Sequence, residues 1–425
     1  MHSKQNTQFQ TAEKGHFIKL FPELAPLVLP DKELRRLAKL MVCASPEEQK
    51  PSKVISNGLS IFGQFLAHDI TFESSSKLKA PNQAISQFQN DRTINLDLDC
   101  LYGQKTQSFY YNRKDKDKLL LGQKYKLNEL YWYDLQRNKQ SQAIIPDSRN
   151  DENIIVSRMH VLFIRFHNKM VDWVRAQGVK KEVFKEARKM VLWHYHWLIL
   201  HEYLYKIMDW SVFDRILEEG CRYYTSPNAL PLEFTGAVFR LGHSQSREHN
   251  RINKITEKKL MELGFFTKME EYVDWQYLFN HKDGNCQFAN LIDARISPSF
   301  NKLPFLANME EQSLPYLNLK RGQTYQLASG EAIAQQLGFE PISIEETKHL
   351  SGTPLWYYIL KEAAVLGHYG EHLGPVGSTI LGECFYTIMQ SDEASYLKIY
   401  PLWKPNVSEN QEGFDFVEMI EFIQI

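Results

Sequence analysis

Cysteine is scarce in this sequence: Cys43, Cys100, Cys221, Cys286 and Cys384 are scattered, odd in number and never in CxxC spacing over 425 residues. That excludes a disulfide framework and a thiolate metal site and leaves ordinary reduced thiols. An excess of charge of one sign is missing too. Lys plus Arg number 50 against 51 Asp plus Glu, a formal net charge of −1, so no global field draws the chain to nucleic acid or to an anionic membrane. No long apolar run is uninterrupted. The most apolar stretch, residues 190–205, carries His194, His196, His201 and Glu202, which would be costly in lipid, and it reads as a buried helix. The opening MHSKQNTQFQTAEKG has no apolar centre and is not a secretory signal. Cytoplasmic residence is therefore the default expectation, with export by a route that needs no leader left open. Internal repeats and low-complexity tracts are absent as well.

What is present is apolar and aromatic side chain, 43% and 13% of the chain, enough for a large buried core. Helical spacing dominates and alternating strands are few. The expected class is mainly α, with residues 1–15 a mobile tail and 16–425 one large helical domain holding a few short strands. HFIKLFPELAPLVLP reads as an extended arm punctuated by Pro26 and Pro30, turning helical after Asp31. NRKDKDK at 112–118 reads as a solvated face beside a hairpin. Residues 182–205, with WHYHW, read as an apolar helix. His194 and His196 are two apart and face different ways, which favours an aromatic seam over a metal pair.

Chemistry gathers around NGLSIFGQFLAHDITF, residues 57–72. If helical, it sets Gln64 and His68 one turn apart on one face and swings Asp69 about 100° away. One face then serves a pocket and the other a cation. Further on, DRTINLDLDCLYG offers Thr93, the Asn95 main-chain carbonyl, Asp97 and Asp99 as oxygen ligands which, with Asp69, suit calcium; a solvated acidic turn is the plainer alternative. In AIIPDSRNDENIIVSRMHVLFIRFHNKM, Asp147 or Ser148 is expected to cap a helix with apolar positions from Ile154 to Val171, and Arg149 and Glu152 are placed to face a common cavity or to form a surface pair. EFTGAVFRLGH puts His243 after Gly242, whose missing side chain lets a group approach the backbone; His243 is either a core residue or an axial ligand to iron. In SLPYLNLKRGQ, Asn318 would fix the His243 tautomer if it accepts from the ring's far nitrogen. Arg321 follows one turn later.

The set GQFLAHD, RTINLDLDCLYG, DSRNDE with MHVLFIRFHN after it, EFTGAVFRLGH, LPYLNLKRG and GEHLGPVG closely resembles the animal-type haem peroxidases, the peroxidase–cyclooxygenase superfamily, and in particular its shorter bacterial members, from about Phe17 onward. The resemblance implies haem b, with His68, Gln64 and Arg149 on the peroxide side. It implies His243 as the iron ligand, Asn318 as its partner, and Arg240 and Arg321 near the haem and its propionates. It also implies Ca2+ at Asp69, Thr93, Asn95, Asp97 and Asp99. Hydrogen peroxide is then the oxidant, and halide, thiocyanate or phenol-like compounds the donors; the oligomeric state stays open. Two departures matter. Ala67 stands where doubly esterified members carry aspartate, so at most one haem ester, through Glu152, is expected. Asn153 replaces the methionine of the sulfonium link, so strong chloride oxidation is not expected. The rival readings are a fatty-acid dioxygenase of the same fold and a catalytically idle haem-binding protein. Against the first, Arg240 occupies the place, three residues before His243, that holds the radical tyrosine in prostaglandin synthases, and Tyr195 lies in a different segment.

Overall fold

Ser56 starts the central helix, Asn57–Ile70, by accepting the Leu59 amide at 3.2 Å, the usual means of satisfying a free donor at a helix start. Eleven of its fourteen residues are buried, so it is a core helix and not a surface one. Two close approaches require glycine. A side chain at Gly58 would begin 2.7 Å from the Leu278 carbonyl, and one at Gly63 would begin 2.6 Å from the Tyr203 hydroxyl. The computed structural model describes residues 15–72, 89–103, 110–225, 227, 229–264, 269–281, 284–307, 311–407 and 413–424. The expected tail thus lies almost entirely outside the described residues.

The longest helix, Ile154–Ala176, packs along the central one through Phe62, Phe65 and Phe163, with Phe65 and Phe163 stacked at 4.9 Å. Its cap is Asn153, which accepts from the Ile155 and Val156 amides. This corrects the expectation of Asp147 or Ser148. Asn153 is extended and separates the helix from a short 3-10 turn, Ser148–Asp151, whose own cap is Asp147. The next helix, Val183–Trp197, runs on through a π-helical stretch, Leu198–Leu204, into Tyr205–Ile207. WHYHW forms the aromatic seam: His194 donates to the Met190 carbonyl and packs on Trp403 and Phe414, while His196 donates to the Leu96 carbonyl. The 112–118 run is less solvated than expected, because Asp115 and Asp117 both pair with Arg175 of the long helix.

About half of the chain is helical. No strand among the described residues exceeds six residues. The largest sheet has three, with Gly15–Ile18 between Gln89–Asn90, antiparallel, and Ala229–Pro231, parallel. Helices Leu314–Thr324, Leu355–Leu366, Pro375–Ser391 and Phe416–Gln424 complete the core, whose main cluster of buried apolar side chains reaches from Phe17 to Ile423, with Trp193, Tyr396 and Trp403 as a satellite. All five cysteines are free. No helix among the described residues is long and apolar enough to cross a membrane.

Candidate active site

Gln64 and His68 share one face of the central helix, and both meet Glu152 from the turn before the long helix. Gln64 Nε2 donates to Glu152 Oε1, and His68 Nε2 lies 3.9 Å from the same oxygen. His68 is orientated from behind. Its Nδ1 is 2.8 Å from Asn150 Oδ1, so Nδ1 carries the proton and Nε2 keeps its lone pair. Asn150 in turn donates toward His160 Nδ1 at 3.1 Å. Burial first, then the positive charge of Arg149, hold the His68 pKa down to about 4. The ring is therefore a neutral base at ordinary pH.

Arg149 does not point at the imidazole. Its Nε and one terminal nitrogen take both oxygens of Asp147, at 3.0 and 2.7 Å, and that same nitrogen donates to the His68 main-chain carbonyl at 3.0 Å. The guanidinium lies over Phe72, 4.6 Å from the ring centre. Nη1 is left without a hydrogen-bond partner among the described residues. Burial works against Asp147, yet Arg149 and Arg92 hold its pKa down to about 2. Glu152 is 48% exposed at its side chain, although burial pushes its carboxyl up against the pull of Arg149 and Gln64.

His243 sits in the short helix Gly242–Gln245, which packs against the central helix. Phe300 and Trp356 flank its ring at 6.0 and 6.4 Å, and Asn318 meets its Nδ1 at 2.9 Å. The amide turns Nδ2 toward the ring, the reverse of the expected polarity. Turning it over, which exchanges O and N without moving other atoms, makes Asn318 the acceptor and frees Nε2 to ligate. Burial, then Arg240 and Arg321, lower the His243 pKa to about 3. Arg240 donates to the Thr235 carbonyl, and Arg321 lies near Tyr325 with its Nε buried and unmatched among the described residues. Nothing stands within 4 Å of where a Gly242 side chain would begin, so the space beside the histidine is open.

Asp69 leaves the opposite side of the central helix. Its oxygens accept from the Leu98 and Cys100 amides at 3.1 and 3.3 Å and from the Tyr195 hydroxyl at 3.0 Å. Thr93 Oγ1 bridges Asp97 and Asp99, at 3.3 and 3.1 Å. Burial, then Asp99, push Asp69 up to about 7 and Asp97 well above its usual range. Asn95 is exposed. Among the described residues no group of three or more His, Cys, Asp or Glu is gathered as a ready metal cage; the carboxylates repel one another around the Thr93 hydroxyl instead.

Residues 78–281 match the family model described as animal haem peroxidase. The chain is 26% identical over 287 residues to chorion peroxidase of Drosophila melanogaster, covering 59% of this chain and 34% of that one. Its fold superposes on peroxidase A from Dictyostelium discoideum with a TM-score of 0.64 at 14% identity, covering 96% and 91% of the two chains. The match over residues 78–281 and the shared fold support a place in the peroxidase–cyclooxygenase superfamily. A fatty acid alpha-dioxygenase from Arabidopsis thaliana shares the same superfamily fold, with a TM-score of 0.59 at 13% identity over 87% and 72% of the chains. The match to the curated relative spans about a third of that protein's length.

The superfamily's haem can be tested against these residues. Open space beside Gly242, an imidazole backed by an amide, and two arginines for propionates fit an iron porphyrin. The loop's donors are all oxygen and their mutual repulsion is what a divalent cation relieves, so calcium also fits. Asn150, Asp147, His160 and Tyr195 are the neighbours that sequence reading missed. Only the run SRND beside Arg149 hinted at the first.

Proposed function

We propose that this chain is a haem peroxidase that reduces hydrogen peroxide and oxidises small donors such as halide, thiocyanate or phenol-like compounds. Haem, when bound, supplies the electrons that cleave the O–O bond and stores the oxidising equivalents until donors return them. His243, with Asn318 accepting from Nδ1, holds the iron. His68 Nε2, on the Glu152 side with its ring proton held toward Asn150, takes a proton from the inner peroxide oxygen and delivers one to the outer. Arg149, fixed by Asp147, adds a permanent positive charge beside the ring and keeps the His68 peptide still. Gln64 and Glu152 close the wall, where Glu152 is exposed enough to form the single expected haem ester. Calcium at Asp69, Thr93, Asp97, Asp99 and the Asn95 carbonyl ties the loop to the back of the His68 helix.

The observation that carries this reading is the His68–Asn150 pair: a neutral, tautomer-fixed base beside a solvent-exposed carboxylate has little structural purpose. The dioxygenase reading has the fold likeness in its favour but lacks its radical. Arg240 occupies the tyrosine position named above, and Tyr195 is committed to Asp69. Mixing haem-loaded protein with peroxide and a panel of bromide, iodide, thiocyanate and phenols should give peroxide-dependent donor oxidation. Oxygen uptake with a polyunsaturated fatty acid and no donor turnover would overturn the proposal in favour of the dioxygenase.

A further inference from the structure

The long helix turns a second face away from the His68 helix, and that face borders a cavity of about 390 Å³, within the roughly 300–1,000 Å³ range of small-molecule sites. Arg158, Leu162 and Arg165 follow one another at helical spacing along it. The hairpin of Lys124–Leu127 and Leu130–Tyr133 brings Tyr131, Trp132 and Tyr133, and Tyr272 and Trp275 stand opposite. None of these residues belongs to the site described above.

Five Tyr and Trp side chains line the wall. Trp132 stacks on Tyr125 and leans on Tyr272, at 5.7 and 5.5 Å between centres. Arg158 is already balanced: it pairs with Asp134 at 2.7 Å, Asp134 also holds Arg137, and Arg137 takes Asp151. Arg165 has no such balance. Half-buried, it lies over the Tyr133 ring at 5.6 Å and meets no carboxylate among the described residues. Trp132 is 7% exposed, and its indole N–H has no acceptor among the described residues. Asp274, the carboxylate on this wall, is already accepting from the amide and the side chain of Gln276. A half-desolvated guanidinium that meets no carboxylate costs free energy that an incoming anion returns. Rings on several sides favour a planar apolar body.

We propose that this cavity binds a planar aromatic carboxylate, its ring against the Tyr and Trp faces and its carboxylate on Arg165. The site is independent of the peroxidase reading. Calorimetric titration of the full chain with naphthoate, in parallel with the neutral naphthamide, tests it. One saturable site is expected, weakened about tenfold or more by Arg165→Gln and by removing the ligand's charge, and severalfold by Trp132→Phe. Glu152→Gln, at the other site, should leave binding unchanged. Arg165 is partly exposed and meets no carboxylate among the described residues, so its replacement should fold, which far-UV circular dichroism verifies. Equal affinity for naphthamide, wild-type affinity in Arg165→Gln, loss of binding in Glu152→Gln, or no saturable binding at millimolar ligand would each overturn the assignment.

Discussion

At the scale of residues, the site is built from two imidazoles that each lean on an asparagine amide. Because Asn150 fixes which nitrogen of His68 is protonated, its removal should act through the base and not through cofactor retention. Asn150→Ala is expected to keep haem while slowing the reaction with peroxide about ten- to a hundredfold, measured as the bimolecular rate; an unchanged rate would show that the ring needs no such support. His243→Ala should abolish the Soret band of haem-loaded protein, and a normal spectrum would remove the ligand assignment. Glu152→Gln should release haem fully on denaturing extraction, whereas peroxide-treated wild type retains it. That Gln64 and His68 share one helix face was legible from their spacing, and the Asn318–His243 contact, though 75 residues apart, from the motifs that hold both. Asn150, and the bond of Arg149 to the His68 carbonyl, were not. They join segments some eighty residues apart, and only the packing of the 3-10 turn on the central helix creates them.

At the scale of elements, Asp69 is the rivet between the central helix and the 93–100 loop. Burying a carboxylate among two others is unfavourable unless a cation joins them. Added calcium should therefore raise the melting temperature in a concentration-dependent way, and a chelator should lower it. A melting curve indifferent to both would refute the loop's role. The π-helical stretch Leu198–Leu204 makes a separate prediction through Glu202, which accepts from the Phe416 amide and from Lys206. Burial, opposed by Lys206, raises its pKa from the usual 4.5 to about 7, equivalent to roughly 3 kcal/mol at about 1.4 kcal/mol per tenfold change in proton affinity. The folded state then binds this proton more tightly than the unfolded one. Its stabilisation is complete below the unfolded pKa and is lost as pH rises through the folded one. Glu202→Gln has no proton to lose. Its melting temperature relative to wild type should climb between about pH 5 and about pH 8, and a constant difference would show that the carboxyl is not neutral when folded. The π register itself could not be read from spacing, since periodicity does not separate it from an α-helix of the same apolar content.

At the scale of the whole molecule, the mainly α class followed from helical spacing and from the scarcity of alternating strands, and the structure has that character. The start of the long helix did not follow, because Asp147, Ser148 and Asn153 are all competent caps in sequence and the backbone at Asn153 decides among them. The Ile154–Ala176 helix packs against the His68 helix on one side and borders the cavity holding Arg165 on another. The most direct test of the central claim is stopped-flow absorbance of haem-loaded protein mixed with hydrogen peroxide, wild type against His68→Ala. The account predicts a rapid Soret change in wild type that is slower by about a hundredfold or more in the variant, with haem content unchanged. Equal rates in the two proteins would contradict it.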